Sequence, residues 1–382
     1  MVRELVKWKE LKLSNILSVM HGKNQRHVEV DISKFPILGS GGRIGWAKEP
    51  LCEEPSVLIG RKGTINNPQF IDKPFWTIDT LFYTEIKNDN NPRYIYYLFQ
   101  TIDWLSLNEA SGVPSLSAKN IENVKVKIPE LYEQQKIAGM LSDMDELIDA
   151  LEKIINKKKK IKQGTMQQLL TGKKRLSGFN SSWLYTKIRD ICSYQNGKSL
   201  ESMFNKEGGY KVISIGNYST SGTYVNNNTY ISYENHNLVS SYLLKKDDLT
   251  MILNDKTSDG SILGRVLYIN IDSSYVFNQR TMRLVPKNMF NSKFLYYKIN
   301  SGEIHDKIVN LSKPGTQIYI NTNDVLDLEL SIPYDYNEQY AIASILTDMD
   351  DEIEALETKL EKYKQIKEGM MQELLTGRIR LV

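Results

Sequence analysis

Several short stretches carry the residue types of catalytic chemistry. Asp79, followed by Glu85-Ile86-Lys87, has the carboxylates and the lysine of a metal-dependent nuclease centre. Those types are also common on strand surfaces in a chain that is 25% charged, and the second half of the sequence offers nothing equivalent. Asn67-Pro68-Gln69-Phe70 is close to the Asn-Pro-Pro-Phe loop of amino-methyltransferases, but the second proline is missing and no glycine-rich turn precedes it. A loop turn is the better reading. Gly197-Lys198-Ser199 ends like a phosphate-binding loop, yet Cys192 stands where that loop requires its first glycine. The four histidines (His21, His27, His236, His305) lack close ligand spacing, and Cys52 and Cys192 cannot build a disulfide framework or a cysteine-rich zinc site. Neither set supplies a nucleophile–base pair. The residues point to no catalytic, cofactor or metal site in this chain, and so towards recognition.

The elements that position these residues are duplicated. At roughly 150 residues per domain, 382 residues make two to three domains. Residues 133–176 align without a gap to residues 338–381 at an offset of 205, with 25 of 44 positions identical. Chance does not do that. A weaker repeat precedes each segment: Trp8, Lys12, Leu13, Ile16, Ser18, Gly22 and Lys23 match Trp183, Lys187, Ile188, Ile191, Ser193, Gly197 and Lys198 at an offset of 175. About 30 additional residues therefore lie inside the second copy. The expected organisation is a globular unit over 1–130, a helical segment over 131–176, a second globular unit over 177–335 and a closing helix over 336–382. Runs such as 55–62, 75–86, 210–217 and 264–271 are rich in β-branched and aromatic residues and bounded by turn formers, as strands are. Short helices are expected at 93–102 and 292–302, so both units read as α+β.

Each helical segment follows an Ile-Pro pair (128–129, 332–333) and ends at Leu-Thr-Gly (170–172, 375–377), a proline start and a glycine stop. Ile137, Leu141, Met144, Ile148, Leu151 and Ile155 alternate at four and three residues. Ile342, Leu346, Met349, Ile353, Leu356 and Leu360 do the same. That is a coiled-coil seam. Residues 131–176 hold ten basic and six acidic residues, and residues 336–382 hold six and ten, so the helices carry +4 and −4. Opposite charge makes them partners for each other, with the internal pseudo-two-fold repeat taking the place of a homodimer. Two diverged units on such a frame suit a target with two separated, different features, such as double-stranded DNA with a split site. The first residues, MVRELVKWKELKLSN, do not read as a secretory signal and no stretch approaches a membrane span, so a soluble, cytoplasmic protein is expected.

Over essentially its whole length the chain resembles the specificity subunit of type I restriction-modification systems. The resemblance rests on Trp8 and Trp183, the loops at 111–117 and 313–320, the Ile-Pro pairs, Glu-Gln at 133–134 and 338–339, and the two QxLLTG helix ends. It implies that each globular unit is a target recognition domain for one half of an asymmetric, split DNA sequence. It also implies that the two long helices pair antiparallel, set the spacer and dock two methyltransferase subunits, with motor–nuclease subunits joining that core. One copy per complex is implied. S-adenosylmethionine, ATP and Mg²⁺ would belong to those partners, and the target adenine would be flipped into a partner's pocket.

Residue type and loop placement give candidate DNA contacts. In the first unit these are Arg43, Arg61, Lys62, Ser111 and Ser115. In the second they are Asn217, Tyr218, Asn226, Asn227, Lys256, Lys313 and Gln317. Arg and Lys read guanine edges or hold phosphates, and Asn suits base edges, although Asn, Ser and Gly also favour turns for backbone reasons alone. Outside the helical segments 33 basic and 30 acidic residues remain, a small excess for DNA binding. Two other classes compete: a restriction endonuclease or fused methyltransferase enzyme, and a coiled-coil scaffold with two non-DNA binding domains.

Overall fold

The computed structural model describes residues 8–87, 89–256, 259–313 and 317–381. The first seven residues of the basic start and residues 314–316 of the second loop lie outside them. Two compact units emerge: Met1–Ile154 with Leu356–Val382, and Ile155–Ala355. Each unit therefore holds part of both long helices, Leu131–Leu169 and Tyr336–Leu374.

In the first unit, Leu17–His21, Leu81–Ile86, Ser56–Gly60 and Gln69–Ile71 lie side by side in one antiparallel sheet. A second sheet orders Glu29–Val30, Gly42–Ala47, Phe35–Gly39 and Trp76–Thr77, the last pair parallel. Lys9–Lys12 pairs with Lys125–Ile128. The second unit repeats this plan. Cys192–Asn196, Thr281–Pro286, Leu249–Ile252 and Val266–Tyr268 form its first sheet. Phe204–Asn205, Tyr230–Ile231, Tyr210–Ile213 and Tyr275–Phe277 form its second, again closing on a parallel pair. Trp183–Lys187 pairs with Glu329–Pro333. Each expected β-branched and aromatic run holds strand, but 75–86 is broken by a turn into Trp76–Thr77 and Leu81–Ile86, which join different sheets; the central strand Ser56–Gly60 is buried on both faces, as at Val57, Leu58 and Ile59.

Gly22 and Gly197 explain one repeated motif. A side chain at Gly22 would stand 2.0 Å from the Ile78 carbonyl oxygen, and one at Gly197 1.9 Å from that of Asn278. Only glycine lets the backbones approach that closely. The short helices fall where expected, at Pro92–Gln100 and Ser292–Ile299, and each is capped by an asparagine. Asn91 and Asn291 accept the N–H groups of Tyr94 and Phe294, both at 2.9 Å.

The Glu-Gln pairs are structural clamps. Buried Gln134 accepts the Asn91 N–H at 2.9 Å and donates to the Pro129 carbonyl at 3.0 Å; Gln339 does the same with Asn291 and Pro333. Glu133, in the first turn of one long helix, is gripped by Arg380 from beyond the end of the other, through two 2.8 Å bonds. Glu338 is gripped by Arg175 at 2.6 and 2.7 Å. Each arginine lies against the tryptophan that leads its unit, Trp8 or Trp183, and each tryptophan packs on the glycine that stops a helix. Gly377 and Gly172 adopt φ of +74° and +70°, which glycine takes without strain.

Further along the helices, Lys367 pairs with Asp145 and Lys364 with Glu152 in the first unit. Lys162 pairs with Asp350 and Lys158 with Glu352 in the second. In each unit the partner number falls as the lysine number rises, so the helices run antiparallel. The acidic helix is thus the partner of at least one member of the Lys157–Lys160 run. Tyr97 and Tyr297 donate to Asp145 (2.7 Å) and Asp350 (2.8 Å), tying each globular core to the helix pair.

Ile137, Leu141, Ile148, Leu151, Ile155, Ile342, Leu346 and Ile353 are buried, and Met144, Met349, Leu356 and Leu360 are half-buried. Ile137 and Leu141 share one core with Leu374, Leu375 and the first unit's sheet. Ile342 and Leu346 share another with Leu169, Leu170 and the second unit's sheet. Helix starts are therefore held both by the opposite helix and by their own unit, at about 1.5–3 kcal/mol per fully buried Leu or Ile. No helix among the described residues is long and apolar enough to cross a membrane.

Candidate nucleic-acid interface

In the first unit three loops converge. The hairpin joining Phe35–Gly39 to Gly42–Ala47 carries exposed Arg43, whose guanidinium lies 4.5 Å from the Trp46 ring. Gln69, from the fragment that is close to a methyltransferase loop, donates to the carbonyls of Gly39 and Ser40 (3.2 and 3.3 Å) and anchors that hairpin. The Arg61-Lys62-Gly63 loop leaves the central strand beside it. Its Gly63 N–H bonds the Pro114 carbonyl at 2.9 Å, Lys62 bridges Ser115, and Leu116 N–H bonds the Arg61 carbonyl at 3.0 Å. Asn108 shapes the third loop, accepting N–H bonds from Ala110 and Ser115 and leaving Ser111 exposed at its tip. Arg43, Arg61, Lys62, Ser111 and Ser115, distant in sequence, are thereby gathered on one set of loops.

The second unit builds the same junction with other residues. Leu253 N–H bonds the Arg280 carbonyl as Arg61 N–H bonds that of Thr80, both at 2.9 Å. Asn254–Asp255 pairs with Ile318–Tyr319 where the first unit has the Lys62–Ser115 bridge. Lys256 follows, exposed. Lys313 bridges Tyr319, and its ammonium lies 4.0 Å from Asp324. Gln317 accepts a 2.8 Å bond from Arg280. Asn226 and Asn227 are exposed on the long 217–230 loop. The Asn226 carboxamide is half engaged by the Asn228 N–H at 3.0 Å.

Two of the candidates are corrected. Asn217 is fully buried and spends its side chain on the turn, accepting from the Ser214 N–H and hydroxyl at 3.0 and 2.9 Å and donating to the Val225 carbonyl at 2.8 Å. Tyr218 is 5% exposed, and burial pushes its phenol up. Neither presents an edge to a ligand here. An Asn-rich stretch looks alike whether its amides close the loop or face outward; only the strand packing beneath decides.

Three residues escaped the sequence reading. Arg280, Gln279 and Glu201 line a cleft of about 240 Å³ with Lys256, Asn278, Ser214, Ile215 and Phe204. Partial burial works to raise the Glu201 carboxyl, but Ser199, Asn278, its own backbone amide and Gln279 outweigh that and bring it to about 2. Asn278-Gln279-Arg280 interrupts two apolar runs, which is a turn signal that could have marked it. Asp79 and Glu85 are not part of a metal cluster: among the described residues, no three His, Cys, Asp or Glu side chains gather to hold an ion.

The comparisons with known proteins agree across the chain. The family described as type I restriction modification DNA specificity domain matches residues 6–163 and again 180–367. The type I restriction enzyme MjaVIII specificity subunit of Methanocaldococcus jannaschii is 27% identical over 347 residues, spanning 87% of this chain and 81% of that protein. The S subunit of a type I restriction-modification system from M. genitalium superposes with a TM-score of 0.70 at 14% identity, covering 98% of both chains. A chain from a structure addressing complex assembly and conformational transition of the type I R-M system gives 0.52 at 12% identity, over 99% of this chain and all of that one. The last two likenesses bear on the fold.

Proposed function

Because the chain belongs to the family of type I restriction modification DNA specificity domains, we propose that its two globular units, over 8–130 and 177–335, are target recognition domains that each read one half of a split DNA site. The chain is the specificity subunit of a type I restriction-modification system, whose methyltransferase and restriction subunits are its partners on DNA. The observation that carries the two-half-site reading is substitution on a shared skeleton. One strand junction presents Arg61, Lys62, Asp79 and Ser115 in one unit and Leu253, Asn254, Gln279, Arg280 and Tyr319 in the other. Identical frames with different edge chemistry suit two different half-sites.

In this reading the chain is cytoplasmic, has no catalysis of its own and acts once per complex, between two methyltransferase subunits. S-adenosylmethionine, ATP and Mg²⁺ belong to those partners and to the motor–nuclease subunits. Docking of a partner helix is supported by Met140, Leu147 and Ile154 of the first unit, which recur every seven residues along the first long helix beside its seam and are 39–44% exposed. A two-stranded pair needs only its seam to be apolar. The test is methylation sequencing of a host expressing this chain with its cognate methyltransferase subunit, against the methyltransferase alone. A split adenine motif that appears only with this chain is the expected result. Its absence, with the methyltransferase shown to be active alongside another specificity subunit, overturns the reading in favour of a scaffold.

A further inference from the structure

We propose that the cleft around Arg280 is a base-reading site of the second unit, and that Arg280 selects a guanine there, with Gln317 as its positioning residue. The inference rests on the recognition reading above and assigns part of that recognition to a residue. Arg280 is exposed, and its guanidinium is already oriented by the 2.8 Å bond to the Gln317 carboxamide oxygen. Its backbone takes φ of +64°, whereas its counterpart Thr80 is not among the described residues with positive φ. A left-handed arginine costs energy that the surrounding structure must offset, and such positions concentrate where a side chain has to be aimed.

The first unit places a guanidinium at the same turn by another route. Arg61, from the loop that leaves the neighbouring strand, reaches the Asp79 carbonyl at 3.3 Å, and the residue at its place in the second unit is Leu253. Each unit thus supplies one arginine to this turn, from different loops, as half-sites with guanine at different positions require.

Phosphate is the competing ligand for an exposed arginine. Glu201 lines the same cleft, fixed by Asn278 and Gln279 at 2.9 and 2.6 Å, and its carboxylate repels a phosphate. A guanine edge, with its neutral O6 and N7 acceptors, fits the guanidinium fork without that repulsion. Lys256, which also lines the cleft, is the group suited to the adjoining backbone.

The experiment uses the assembled complex of this chain with its methyltransferase subunit. Once methylation sequencing has given the motif, binding is measured by competition against duplexes changed one base pair at a time. Arg280→Gly removes the side chain at a φ that glycine adopts freely, so the fold is not at risk. The expected result is a roughly 10–100-fold loss of discrimination at one G·C pair of one half-site, with the other half-site read as before. Arg280→Lys keeps the charge without the fork and is expected to lose most of the same discrimination. Gln317→Ala is expected to weaken discrimination at that same pair by a smaller factor. Unchanged discrimination overturns the proposal, and so does an equal loss of affinity for every duplex with selectivity intact, the signature of a phosphate contact. If the wild-type complex yields no split motif at all, it is the recognition reading that fails.

Discussion

The Glu133–Arg380 pair shows how much one buried charge can hold. Glu133 is 4% exposed and accepts from Arg380, the Leu381 N–H and the Trp8 indole. Burial alone would raise its carboxyl, but these donors together hold it below the ordinary value near 4.5. Removing Arg380 leaves that charge buried without its main partner, so Arg380→Ala should cost roughly 3 kcal/mol of the first unit's stability. Adding Glu133→Gln to Arg380→Ala should recover part of the loss, which a double-mutant cycle of thermal unfolding measures. The pH dependence has a defined sign. A carboxyl depressed in the folded state contributes stability above its unfolded pKa near 4.5, and the contribution drains away as pH falls through the folded value. Unfolding followed against pH should show this acid limb in the wild type and a shallower one in Glu133→Gln. Asn217 makes a contrasting case. Asn217→Ala strips three donors (the Ser214 N–H and hydroxyl and the Asn227 amide) and the Val225 carbonyl of their partner, so it should destabilise the second unit by about 1–3 kcal/mol, as thermal unfolding measures.

At the scale of elements, the long helices were the most legible part of the sequence. Their seam, their proline starts and their glycine stops are local signals, and tertiary packing reinforces them. The Glu-Gln pairs were visible as repeats, but their work was not, because Glu133 meets Arg380 and Gln134 meets Asn91 only after folding. The candidate contacts divided by the same rule. Arg61 and Lys62 sit beside Gly63 in a loop, as the glycine signals, whereas Arg43 follows Gly42 within a strand and Asn217 sits in a turn whose own closure consumes it. Arg280 was missed because Asn278-Gln279-Arg280 marks a turn in the sequence, but only the fold brings that turn against Gln317 and Lys256. The apolar ridge beside the seam leads to a test at this scale. Leu147→Glu with Ile154→Glu places charge on exposed positions, so the chain's own melting should barely move. Association with the methyltransferase subunit, followed by sedimentation, should weaken by at least about tenfold, the equivalent of roughly 1.4 kcal/mol. Equal association would remove the ridge from the docking surface.

For the whole molecule, net charge limits what the chain can do alone. It carries +3 overall, and its opposite-charge helices cancel. Since phosphate neutralisation dominates DNA affinity, the isolated chain should bind duplex weakly, and the complex with methyltransferase subunits much more tightly and with a steeper salt dependence. Titrations at two salt concentrations decide this, and tight, salt-sensitive binding by the chain alone would count against it. The reciprocal clamps also dictate an order of events during synthesis. Glu338 emerges from the ribosome after Arg175 is already made, but Glu133 must wait for Arg380, 247 residues later. Met370, Met371, Leu374 and Leu375, which complete the first unit's core, arrive just as late. The unit begun first is therefore the unit closed last. A chain halted at Gly369 should leave 155–355 resistant to protease and the first unit open to digestion. During that wait the exposed start of the first long helix is at risk of capture by the same helix of a neighbouring nascent chain, which carries an equivalent arginine in Arg175. Two such helices would each bring +4 to the pairing, so the charge that separates the two repeats also protects the unfinished chain from its own copies.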